Sequence, residues 1–239
     1  MMKLASICGK IGLFCVKQKL RFAVLKNNRK EMVKMSYLKF SFSGYSFEPR
    51  FEHVLEAIEN SRKTRIESYG RNDYAFIGND ITLKSLNDGR WVEDASADES
   101  GRHWSELLIK ECEITNDGEA GFFESVSIGF VCIDNYYEYE DKKVIILFIK
   151  GSDMDLTIRH VEEATKNVYQ REARGGLHIG RNKYNTAWIK KQEDGTWIDR
   201  NEKIWGNLFV AEVDEKGNVT NEVSIGLTRL DTRIRVKWL

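Results

Sequence analysis

Within residues 36–239 only two stretches carry a clear helical hydrophobic stripe, and short strand-like runs surround both. The first stripe is Phe51, Val54, Leu55 and Ile58. Their i, i+3, i+4, i+7 spacing puts four apolar side chains on one face of a 3.6-residue period. The second lies within 155–170, where Val161, Ala164 and Val168 form the stripe and Thr157 or Ile158 extends it by a turn. The single proline, Pro49, opens the first stripe, at a position where a missing N–H costs nothing. The spacing predicts helices over about 49–61 and 155–170.

The rest reads as strand and turn. Tyr37–Ser43 alternates polar and apolar residues, the period-two signature of a strand. Arg65–Tyr69, Tyr74–Ile77, Ile81–Leu83 and Arg90–Glu93 follow as short strands. Trp104–Ile114 fits either helix or strand and is read as strand. Ser125–Ile133 and Val144–Ile149 are the most apolar runs, rich in β-branched and aromatic residues, and read as central strands. Tyr184–Lys190, Thr196–Asp199, Ile204–Val213, Val219–Thr228 and Thr232–Trp238 form a C-terminal meander joined by glycine, asparagine and aspartate turns. The expectation is an α+β fold with a mostly antiparallel sheet of about ten short strands and two amphipathic helices. One echo runs through it. Asn87–Glu93 matches Glu193–Asp199 in pattern, 106 residues apart. Seven positions read as shared hairpin physics rather than as a duplication.

The formal charge is zero, from 37 basic and 37 acidic side chains. That total is uneven along the chain. Residues 1–34 hold nine basic residues and one acid; residues 35–239 hold 28 and 36. The basic stretch has no apolar run long enough for a signal peptide. Cys8, Ile11, Cys15 and Val16 keep open an amphipathic arm for nucleic acid or a membrane surface. The favoured reading is a disordered or dispensable extension over 1–34 and a single α+β domain over 36–239, because strand patterning begins where the charge changes sign. No run of about 18 apolar residues occurs, so no membrane-spanning helix is expected. Four cysteines without a C-x-x-C pair argue against a zinc knuckle or a disulfide framework and suit a cytoplasmic protein. No metal or cofactor is expected.

Motifs for chemistry are scarce. The chain has neither phosphate-loop glycine pattern, no G-x-S-x-G nucleophile elbow and no H-E-x-x-H. His53 reads as a surface or rim residue. His160 and Glu163 share a helix face, but Ala164 stands where a second metal-binding histidine would be, so that face reads as solvated. The densest polar cluster is 171–183. It holds Arg171, Arg174, Arg181 and Lys183, three glycines including Gly175 and Gly176, and His178. It reads as a loop following the second helix.

Two functions compete. The first is a soluble intracellular binding or inhibitory protein of immunity, antitoxin or anti-defence type. It would meet a protein partner through an acidic, aromatic surface such as Tyr136, Tyr137 and Tyr139. The second is an enzyme acting on a phosphate-bearing nucleotide or nucleic acid. Arg174, Gly175, Gly176, Arg181 and Lys183 would bind phosphate, with His178 and His160 as proton-transfer groups.

Overall fold

The structure, a computed structural model, describes residues 35–94, 101–114, 120–135, 143–150, 152, 154–193 and 196–230. The fold is α+β, mostly antiparallel, with two helices. Its strands form two curled seven-stranded sheets, not one sheet of about ten. The first half runs β1 (Met35–Phe42), α1 (Phe51–Ser61), β2 (Thr64–Tyr69), β3 (Asn72–Ile77), β4 (Ile81–Ser85), β5 (Trp91–Glu93), β6 (His103–Ile114) and β7 (Ala120–Cys132). The second runs β8 (Val144–Ile149), α2 (Ile158–Lys166), β9 (Tyr169–Ala173), β10 (Gly176–Asn182), β11 (Asn185–Lys191), β12 (Trp197–Asp199), β13 (Ile204–Val213) and β14 (Val219–Arg229).

The two halves repeat each other. Strand order is β1-β6-β5-β4-β3-β2 with β7 also on β6, and β14-β13-β12-β11-β10-β9 with β8 also on β13. Thus β8 takes the place of β1, and β14 that of β7. The irregularities repeat too. The β6–β7 ladder slips at Leu107/Leu108 and Glu111/Cys112, and the β13–β14 ladder at Leu208/Phe209 and Glu212/Val213. Hairpin chemistry alone does not reproduce a topology, a helix and two slips, so the echo at 87–93 and 193–199 belongs to a repeat of the whole unit.

Packing follows the repeat. Each sheet has a private cluster facing inward. One joins Ala75, Ile77, Leu83, Trp91 and Trp104; the other joins Leu177, Ile179, Ile189 and Trp205. A third, larger cluster draws on both halves, with Val54, Ala57, Leu107 and Ile109 from one and Val161, Ala164, Leu208 and Val210 from the other. These are register-equivalent residues. Helix α1 packs on β7 and β6 and touches β13, while α2 packs on β14 and β13 and reaches β7 and β6. Leu107 and Leu208 are both fully buried, which contributes about 2–3 kcal/mol each.

Each helix lies so close to its last strand that only glycine fits. Gly129 has φ +144, and a Cβ there would stand 1.9 Å from the Ala57 carbonyl oxygen; Gly226 has φ +155, with 2.5 Å to that of Ala164.

Element bounds differ from expectation in several places, among them β7, which begins at Ala120 rather than at Ser125. Arg50 is the N-cap of α1, so Pro49 stands before the helix instead of within its first turn. Helix α2 ends at Lys166 rather than near 170. Val168, read as part of its stripe, is 72% exposed. The chain turns directly into β9 and β10, two strands the sequence reading lacked. The expected strand at Thr232–Trp238 lies outside the described residues. No described helix is long and apolar enough to cross a membrane.

Candidate functional site

Residues 171–183 are a β-hairpin and its following turn, not a loop. Arg174 and Gly175 form the two-residue connection, at φ +53 and +73. Two positive φ values are the requirement of a type I′ hairpin turn. Gly176 lies under the Trp188 ring, whose atoms would sit 2.7 Å from a Cβ there. His178 is in mid-strand, paired with Arg171 and Trp188. Leu177 and Ile179, its neighbours, point into the core. Lys183 lies beyond the far end of β10 and rests 4.8 Å from the Tyr184 ring centre. At about 3.3 Å per residue, Arg174 and Lys183 are more than roughly 20 Å apart. Arg181 lies toward α2, where its charge adds to the Lys166 hydrogen bond that chiefly holds the Glu162 carboxyl low. The hairpin therefore spreads Arg174, Gly175, Gly176, Arg181 and Lys183 along its length. Tyr136, Tyr137 and Tyr139 lie outside the described residues.

His160 is 4% exposed, so its face is packed, not solvated. It is the third residue of α2, and its Nδ1 accepts the Thr157 backbone N–H at 3.0 Å. That bond satisfies an amide at the helix start. It also places the ring proton on Nε2, which is buried and has no hydrogen-bond partner. Burial lowers its pKa, against the opposing pull of Glu163. His53 likewise accepts an amide N–H at the start of α1, and it is buried instead of lying at the surface. Its Nδ1 accepts the Arg50 N–H at 2.9 Å, and burial pushes its pKa down to about 4.

The same helices carry two further matched fastenings. Glu56 Oε1 accepts the Cys132 N–H at 2.8 Å, and Glu163 Oε2 accepts the Arg229 N–H at 2.9 Å. Asn60 Nδ2 donates to the Phe130 carbonyl, and Asn167 Nδ2 to that of Leu227. The shared pattern is His-Val-x-Glu-Ala-x-x-Asn, at 53–60 and 160–167. Its histidine caps the helix start and its glutamate and asparagine bind the helix to its own sheet, so histidine and carboxylate on one helix are structural here. Among the described residues no group of three or more His, Cys, Asp or Glu is arranged to hold a metal ion. Cys112 and Cys132 are buried free thiols.

The halves part company on their outer surfaces. On α1 the outward residues are Glu52, Leu55 and Glu59; at the matching places α2 has Arg159, Glu162 and Lys166. Just before α1 stand exposed Phe47 and Glu48. Leu55, 43% exposed, stands one turn from each of Glu52 and Glu59, while Phe47, 44% exposed, packs against Phe42 and His53 ahead of the helix. Lys63 pairs with Glu59 at 2.9 Å, both well exposed, a contact that adds little. The contrast extends through the chain. Residues 35–135 hold ten basic and nineteen acidic side chains, and residues 143–230 hold fourteen and thirteen. Sequence reasoning found the acidity of the body but did not localise it.

Comparison with protein-family models, with curated proteins and with solved structures finds no match.

Proposed function

We propose that this chain is a non-catalytic binding protein, inhibitory in the manner of an immunity or antitoxin protein, whose α1 face engages a basic protein partner. One observation carries the reading. Two helices with the same buried pattern carry opposite charges outside, at Glu52 against Arg159 and Glu59 against Lys166. The fold is served by either set, so Glu52 and Glu59 are available for recognition. Glu52 and Glu59 flank the exposed Leu55 on the outward face of α1, so complementary charge stands beside apolar contact, as in a protein interface. On this reading residues 1–34 are dispensable, and deleting them leaves folding and partner binding unchanged.

The test is co-purification from the native cell with the intact chain and two charge-reversed forms. Glu52→Lys with Glu59→Lys loses the partner, while Arg159→Glu with Lys166→Glu keeps it, and the partner is basic. Retention by the α1 form, or an acidic partner, ends the proposal.

A further inference from the structure

The repeat supplies an internal reference for the outward faces of the two sheets, because equivalent positions can be compared one by one. In the first sheet this face carries Arg65 beside Phe76 and Thr82, in register across β2, β3 and β4. In the second it carries Arg171 beside His178 and Trp188, across β9, β10 and β11. Arg65 matches Arg171, and Lys84 matches Lys190.

The acids do not match. Arg65 pairs with Glu67 at 3.0 Å; the place of Glu67 is taken by Ala173. Asp94, which follows β5, is replaced by Arg200 after β12, and Arg200 lies 5.7 Å over the Trp188 ring. The first face thus balances Arg65 and Lys84 with Glu67 and Asp94. The second presents Arg171, Lys190 and Arg200, all exposed, and among the described residues the register puts no acid beside them. Trp188, Ile198 and the 46% exposed Ile204 add apolar surface to the same face. Charged and apolar side chains are spread across β9 to β13 on this face, a layout that suits a protein surface.

The α1 face of this same chain offers both acid and apolar surface: Glu52 and Glu59 flank the exposed Leu55, and exposed Phe47 and Glu48 stand just before the helix. It complements the second sheet in charge and in apolar content. The two surfaces lie on different halves, so the contact joins unlike patches. We propose that the open face of the second sheet docks the α1 face of a second copy, head to tail. The inference shares the α1 surface with the binding proposal above but does not need a foreign partner. A basic partner on α1 competes with the second copy, so partner capture disperses the self-association.

Sedimentation of the full chain tests this. At low ionic strength the mass rises with concentration above that of the 27.8 kDa chain. In about 1 M salt, where the screening length falls to about 3 Å, it returns to the monomer. Arg171→Glu with Arg200→Glu stays monomeric, and so does Glu52→Lys with Glu59→Lys. Mixing these two forms restores association, since each offers the charge that the other lacks. All four sites are exposed, and circular dichroism confirms that both forms fold. A wild-type monomer throughout overturns the proposal, as does an inert mixture. Association that survives the sheet reversal also overturns it, by showing that basic residues 1–34 or another surface makes the contact. The Arg171→Glu, Arg200→Glu form still captures a basic partner, which separates failure here from failure of the binding proposal.

Discussion

The first and second halves have one topology, matched buried residues and matched helix fastenings, yet one is strongly acidic and the other nearly neutral. The difference teaches which positions answer to folding and which are released from it. Buried or hydrogen-bonded positions recur in kind: Val54 with Val161, Leu107 with Leu208, Glu56 with Glu163, Asn60 with Asn167. Exposed positions on the helices and sheet faces have changed charge, and a surface change of that kind costs within about 0.5 kcal/mol. Interior and surface have therefore diverged under different constraints.

The comparison can be broken most forcefully at the paired glycines. Gly129→Ala forces a Cβ against a backbone carbonyl at 1.9 Å and Gly226→Ala at 2.5 Å, each with a φ that side chains rarely adopt. Both destabilise, Gly129→Ala by more than about 4 kcal/mol and Gly226→Ala by less. Urea midpoints measure this. Equal small losses would mean that the helices are not held against their strands as described.

Next in size is the pair of buried histidines. Both are neutral in the fold and have depressed pKa values. Below the ordinary histidine value of about 6.5 the unfolded chain takes up protons that the folded one refuses, so stability falls as pH falls. For His53 the loss runs from about 6.5 down to about 4 and totals on the order of 3 kcal/mol. His160 acts in the same direction. His53→Gln keeps an acceptor at the third helical position, as in a capping box, and cannot titrate. Its stability-versus-pH slope between those values is shallower than that of the wild type; an unchanged slope would falsify the assignment.

The smallest effect sharpens the contrast. Glu52→Lys and Arg159→Glu exchange the surface charges of the two helices. Each shifts unfolding free energy by less than about 0.5 kcal/mol, measured at physiological salt. A loss beyond about 2 kcal/mol from either would show that its charge serves the fold.

Much of the fold was legible. Val144–Ile149 and Ile204–Val213 match β8 and β13 at both ends, because continuous apolar runs bounded by turns leave little choice. Helix α1 was legible from Val54 and Ile58, since a surface helix must show its period. The repeat was not found, though its letters are plain. His53 and His160 are 107 apart, Trp91 and Trp197 106, Trp104 and Trp205 101, and Gly129 and Gly226 97. Hairpins and connections changed length between the copies, so no fixed offset aligns them. The pattern His-Val-x-Glu-Ala-x-x-Asn was the available signal. The hairpin β9–β10 was missed because Val168 and Gln170 extend the helical spacing of α2.

Local sequence determined where strands and helices form, since period and turn chemistry act over a few residues. It also determined that the chain divides into a basic stretch and an acidic body. Only the tertiary structure decided what the polar residues do. Hydrogen bonds from the Arg229 N–H to Glu163 and from the Cys132 N–H to Glu56 span 66 and 76 positions, and no local pattern distinguishes such a fastening from a catalytic pair. Whether a charge is neutralised depends on its cross-strand neighbours, and strand register, not nearness in sequence, places Ala173 where the other sheet has Glu67.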